Sequence, residues 1–147
     1  MKPRGVNRVV IAVRDLEEGK DLYSRLLGAE FLDVTEESER LGLRAAISFD
    51  AGVELCAPIP GRGSYVEHFL GKRGEGLMGV VFAVDDVEQA RDRAAEVGIG
   101  VQGLIADYSQ EEIDQRLQGR FRKYKEYMLN SNERCGFLLV LGQIEPR

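Results

Sequence analysis

Two βαβββ modules, an α+β fold, are what this sequence predicts, with their sheets cupped into a barrel-like surface around a cavity. Three observations lead there. The run Arg8-Val9-Val10-Ile11-Ala12-Val13-Arg14-Asp15 returns as Gly79-Val80-Val81-Phe82-Ala83-Val84-Asp85-Asp86. Internal repetition decides architecture before any single motif does. Each copy ends in an aspartate at the start of a helical pattern, so one strand-helix unit is used twice. A hairpin around Asp50-Ala51-Gly52 then demands antiparallel neighbours, which a doubly wound parallel sheet would not supply.

The elements follow in chain order. Residues 7–13 read as a buried strand. Asp15 caps the next helix, with Glu18 three residues on. Leu16, Leu22, Tyr23, Leu26 and Leu27 make its apolar stripe, and Gly28 closes it. Gly19 in its middle weakens it by about 1 kcal/mol relative to alanine. Residues 29–35 read as a second strand and 36–40 as a solvated charged loop. Residues 43–49 and 53–57 form the hairpin, with Gly52 where a positive φ is needed. Ser64 and Glu67 open a short helix through Leu70. Residues 1–70 are thus the first module with a linker helix, and 71–147 the second.

In the second module, residues 78–84 are a strand and Asp86 caps a helix that ends before Gly98. Residues 101–105 are the next strand. A helical insert near 109–120 opens on Ser109 and Glu112 and carries Ile113 and Leu117 on one face. Residues 124–129 and 137–143 close the module as a hairpin around the polar stretch 130–136.

Composition excludes several classes. The net charge of −5 and the lack of a basic stripe argue against a nucleic-acid surface. No apolar run approaches the roughly 20 residues that span a bilayer. Met1-Lys2-Pro3-Arg4-Gly5 is followed by no apolar signal core. The two cysteines, Cys56 and Cys135, suit a reducing cytoplasm. His68 is the one histidine, so a metal site with two histidines is impossible by counting.

Ile11-Ala12-Val13-Arg14-Asp15-Leu16-Glu17, Lys72-Arg73-Gly74-Glu75-Gly76-Leu77 and Glu54-Leu55-Cys56-Ala57-Pro58 together resemble the vicinal oxygen chelate superfamily of glyoxalases, extradiol dioxygenases and bleomycin-resistance proteins. Within it they are most similar to methylmalonyl-CoA epimerases. That resemblance implies a homodimer and a metal held by one ligand from each of four strands, typically His, Gln or Glu, His, and Glu. Those positions fall on Arg8, Glu54, Gly79 and Val140, or on Leu138 for the last if the hairpin glycines are matched. One acceptable ligand remains, and Arg8 sets a cation where a metal would be repelled. The sequence therefore implies no metal and no other cofactor.

Strand alternation turns Arg8, Val10 and Ala12 inward, with Glu54, Cys56, Gly79, Val81 and Ala83. Arg8 and Glu54 are either a structural bridge replacing the metal or a ligand-binding pair, with Arg8 offering its planar fork to a carboxylate, phenolate or carbonyl. Glu54 is also a candidate general base. Cys56 is a small core residue or a cavity thiol. His68 is an exposed helix residue or a group at the cavity mouth. Met78, Gly79 and Val140 complete the candidate ligand-binding set. Tyr108, Tyr124 and Tyr127 are candidates for an aromatic wall, and Arg120, Arg122, Lys123 and Lys125 are either a solvated face or a phosphate contact. The sequence points first to a metal-free protein binding a small, partly apolar organic ligand. Its rival is a metal-free isomerase, lyase or cyclase with Glu54 as base and Arg8 as anion stabiliser, on an acyl-CoA-like substrate.

Overall fold

The computed structural model describes all 147 residues. The fold is α+β, with eight strands and six α-helices along the chain. It divides into two compact units, Arg8–Met78 and Met1–Asn7 with Gly79–Arg147. The sequence places its boundary after residue 70, whereas the units divide after Met78. The first seven residues go with the second unit, where Lys2 donates its N–H to Asp85 Oδ1 at 2.6 Å and accepts from the Asp85 N–H at 3.1 Å.

In the first unit, β1 (Pro3–Ala12) enters from Arg8 onward and is followed by α1 (Leu16–Leu27), β2 (Leu32–Asp33) and α2 (Thr35–Ser38). The hairpin strands β3 (Leu43–Ser48) and β4 (Val53–Pro58) come next, then α3 (Tyr65–Arg73). The strands lie in the order β2-β3-β4-β1, antiparallel except for the parallel pair β4 and β1. Asp15 caps α1 by accepting the Glu18 N–H at 2.9 Å, and Gly28 ends it at φ 68°. The core between α1 and the sheet is Val13, Leu16, Ala46, Val53, Leu55 and Ala57, with Val9, Ile11 and Tyr23 packed on it.

Three expectations need correction here. The α1 stripe is not buried along its length. Leu16 and Gly19 meet the sheet, while Leu22, Leu26 and Leu27 are exposed. Gly19 is the reason the helix sits so close: a Cβ there would lie 3.1 Å from Val13 Cγ1 and 3.3 Å from Leu55 Cδ1. The strand over 29–35 shrinks to two residues, and the supposed loop after it is helical. Thr35 donates its N–H to Asp33 Oδ1 at 2.8 Å and Ser38 Oγ bonds the Val34 carbonyl at 2.9 Å. Such local side-chain bonds to backbone outcompete a sheet ladder. Finally, α3 runs three residues past Leu70, because nothing breaks it before Gly74 at φ 75°.

The second unit repeats the plan with β5 (Gly76–Val84, in this unit from Gly79), α4 (Val87–Glu96), β6 (Val101–Asp107), α5 (Gln110–Arg116), β7 (Phe121–Leu129), α6 (Asn132–Cys135) and β8 (Leu138–Pro146). Its order is β5-β8-β7-β6, with β5 and β8 parallel and the others antiparallel. Helix α4 packs Val87 and Ala90 on Val84 and Tyr127, with Leu141 beside them. The insert is α5, and Ser109 and Glu112 form its reciprocal capping box. The stretch 130–136, expected as a plain turn, holds the short α6. No helix of the protein is long and apolar enough to cross a membrane.

Candidate functional site

The first unit's sheet has two chemically different faces. Residues 9, 11, 53, 55 and 57 turn toward α1 and are apolar. Because successive side chains alternate, Arg8, Val10, Ala12, Glu54 and Cys56 stand on the opposite face. The parallel register sets Val10 beside Glu54 and Ala12 beside Cys56. Arg8 on β1 therefore reaches Glu54 on β4, and its Nε donates to Glu54 Oε1 at 2.7 Å.

The arginine side chain is 4% exposed and the glutamate 16%. The Arg8 guanidinium also lies over the Phe49 ring, 5.6 Å from its centroid, an attraction between a cation and an aromatic face. The second Glu54 oxygen accepts from Cys56 Sγ at 3.3 Å. Burial first, then the adjacent Glu54 charge, push the Cys56 thiol well above its ordinary pKa, with Arg8 pulling the other way. A thiol held protonated donates to the carboxylate and is a poor nucleophile.

The candidates fall into separate places. Arg8, Glu54 and Cys56 form one hydrogen-bonded cluster. His68 is exposed on α3, and Met78 is buried at the end of the first unit. Gly79 and Val140 belong to the second unit, both buried. There β5 and β8 run in a register that mirrors β1 and β4: Val81 faces Val140 as Val10 faces Glu54. Since Arg8 corresponds to Gly79 and Val10 to Val81, Val140 and not Leu138 is the counterpart of Glu54.

Other candidates have partners of their own. Tyr127 lies on the α4 side, its hydroxyl donating to Glu88 at 3.0 Å and accepting from Arg91 Nη1 at 3.2 Å. Tyr124 is buried and stacks on Tyr108 at 5.5 Å between centroids, and Arg116 covers Tyr108. In the basic cluster, Lys125 is paired with Glu88 and Asp107, and Arg122 with Glu145 at 3.3 Å. Glu88 first, as a hydrogen-bond acceptor, holds the Lys125 ammonium well above its usual pKa.

Two residues escaped the sequence. Phe49 sits just past β3, where a strand-end aromatic reads as simple core. Glu126 on β7 is 2% exposed and pairs with Gly142, while Met128 pairs with Val140. Residues opposed in an antiparallel pair share a face, so Glu126 is a buried carboxylate on the Val140 side of its sheet. Its signal was an acid between Tyr124 and Tyr127 at an inward position.

Twin βαβββ modules, each closed by a parallel pair of first and last strands, define the class. The chain matches the model of the Glyoxalase/Bleomycin resistance protein/Dioxygenase superfamily over residues 5–112 and belongs to that superfamily. Within it, the chain is 35% identical over 100 residues to the ethylmalonyl-CoA/methylmalonyl-CoA epimerase of Cereibacter sphaeroides, covering 67% of this chain and 74% of that one. Methylmalonyl-CoA epimerase from Mycobacterium tuberculosis superposes with a TM-score of 0.72 at 21% identity, over 99% of this chain and 89% of that one. A Streptomyces coelicolor methylmalonyl-CoA epimerase variant in complex with 2-nitronate-propionyl-CoA gives 0.70 at 21%, over 97% and 98%. At those identities the structural likeness is one of fold.

The metal that the family likeness implies does not fit these residues. No group of three or more His, Cys, Asp or Glu side chains is gathered to hold one. Of the four positions, Arg8 is a cation, Gly79 has no side chain and Val140 is apolar. Glu54, the remaining donor, already accepts from Arg8 and Cys56.

Proposed function

We propose that the protein binds a small, partly apolar organic ligand through an anionic or carbonyl oxygen, with the Arg8 guanidinium in the place where the family likeness implies a metal. The observation carrying this is the 2.7 Å bond from Arg8 Nε to Glu54 Oε1 on a strand face otherwise lined by Val10, Ala12 and Cys56. The bond from Nε to the glutamate fixes the plane of the guanidinium, a group whose planar N–H donors match the geometry of a carboxylate or carbonyl oxygen. Phe49 supports that plane from one side. The working form is a homodimer, as the family likeness implies, in a reducing cytoplasm that suits two free cysteines. Native mass spectrometry of the gently purified protein tests the ligand: a bound small molecule lost in Arg8→Met supports it, and an empty protein indifferent to that change overturns it. Light scattering giving a monomer at all working concentrations would remove the dimer.

A second role is favoured by the 35% identity with an ethylmalonyl-CoA/methylmalonyl-CoA epimerase. Here the ligand is an acyl-CoA thioester with an acidic α-carbon. Glu54 takes the α-proton, the electron pair moves onto the thioester oxygen, and Arg8 offsets the charge that develops there. Return of the proton restores the thioester. Incubation with methylmalonyl-CoA in deuterated water separates the two roles. Deuterium entering the α-carbon, and stopping in Glu54→Gln, makes the protein an enzyme; no exchange above the buffer rate leaves it a binder.

A further inference from the structure

We infer that Gly79 is fixed as glycine by the approach of β5 to β8, so that the backbone itself closes the third metal-ligand position. A Cβ built on Gly79 would lie 2.5 Å from the Leu138 carbonyl oxygen, 3.0 Å from Leu138 Cβ and 3.3 Å from its carbonyl carbon. The nearest of these is a backbone atom, which no rotamer change can move aside.

The carbonyl is also pinned. It shares a peptide group with the Leu139 N–H, which donates to Ser131 Oγ at 2.8 Å, and Ser131 is wholly buried. The same hydroxyl donates to the Phe137 carbonyl at 2.9 Å. Turning the Leu138 peptide away from position 79 would break the bond to Ser131 and disturb the ladder from Gly79 and Leu138 to Ala83 and Gly142. An imidazole at position 79 needs that Cβ first. Gly79 thus keeps a side chain, and with it any imidazole ligand, out of its place on β5. Restoring lost side chains one at a time would not restore a metal centre.

The ligand assays above test what the wild type binds; the test here concerns only whether position 79 can carry a side chain. Gly79→Ala and Gly103→Ala are compared by thermal unfolding, since nothing lies within 4 Å of a Cβ on strand residue Gly103. Gly79→Ala should lower the melting temperature by on the order of 5 °C or fail to fold, with Gly103→Ala close to wild type. Cobalt(II) is then titrated into Arg8→His/Val140→Glu with and without Gly79→His. Gly79→His should tighten cobalt(II) by less than tenfold, or the variant should not fold. Gly79→Ala melting with the wild type, or Gly79→His folding and tightening cobalt(II) tenfold or more, overturns the inference. If the Arg8→His/Val140→Glu background itself does not fold, the alanine comparison decides.

Discussion

Arg8 and Glu54 are joined at 2.7 Å, yet they are unequally buried, the arginine side chain 4% exposed and the glutamate 16%. Losing either partner therefore has unequal consequences. A glutamate stripped of its arginine retains some water and can take up a proton. An arginine stripped of its glutamate is enclosed and cannot deprotonate.

Glu54→Ala should accordingly be the worse single change, costing about 3–5 kcal/mol in denaturant unfolding. Arg8→Ala should cost less, on the order of 1–3 kcal/mol, the penalty of leaving an acceptor unsatisfied. The neutral pair Arg8→Met with Glu54→Gln should cost well under the sum of the single changes. Additive effects would mean that the side chains do not act together, and the substitution of a cation for a metal would lose its foundation.

Gly19 offers a contrast with Gly71. Intrinsic propensity says that alanine helps both helices by about 1 kcal/mol. At Gly71 a Cβ meets nothing within 4 Å, and Gly71→Ala should stabilise. At Gly19 it would press on Val13 and Leu55, and Gly19→Ala should destabilise by about 1–3 kcal/mol through overpacking. Urea midpoints moving in the same direction for both would show that α1 can retreat from the sheet.

That contrast also marks what the sequence could and could not disclose. The repeat around Arg8 and Gly79 is enough for the order of strands and for the caps at Asp15 and Asp86, and the Ser109–Glu112 spacing for the cap of the insert, because those signals are local. Inward alternation was enough to join Arg8, Glu54 and Cys56. What escaped depends on distances across elements. Gly19 looks like a helix weakness until Val13 and Leu55 are seen against it. Leu22, Leu26 and Leu27 look like core until the helix is seen to meet the sheet through Leu16, Gly19 and Tyr23. Residues 36–40 look like loop because their helical turns rest on side-chain bonds from Asp33 and Ser38 rather than on periodicity. Lys125 and Arg122 read as a solvated face or a phosphate contact, while their pairing with Glu88, Asp107 and Glu145 depends on residues distant in sequence.

Metal content follows from the donor set. With Arg8, Gly79 and Val140 at three of the four positions, protein purified without chelators should contain far less than one zinc, cobalt, nickel or iron per chain by elemental analysis. About one such ion per chain, lost in Glu54→Ala, would contradict the role given to Arg8. A trace unaffected by Glu54→Ala would be adventitious surface binding and would leave that role intact.

Cys56 should make stability depend on pH in the alkaline range. Its folded pKa is raised, by burial and then by the Glu54 charge. Below the ordinary thiol value of about 8.5 both folded and unfolded states hold the proton, and the contribution is fully present. As pH rises through that value the unfolded chain gives up a proton that the folded chain keeps. The unfolded state then binds fewer protons, so stability falls with rising pH. Lysines and tyrosines titrate nearby, so the measurement is the difference between wild type and Cys56→Ala, followed by urea unfolding from pH 7 to 10. The wild type should lose more stability than the variant across this range, and the gap should open from about pH 8 upward. The same protection should appear in kinetics: Cys56 should resist alkylation at pH 8.5 in the folded protein while the partly exposed Cys135 reacts. Parallel stability curves for wild type and Cys56→Ala, together with rapid alkylation of Cys56, would show that its thiol ionises in the native fold and does not serve Glu54 as a donor.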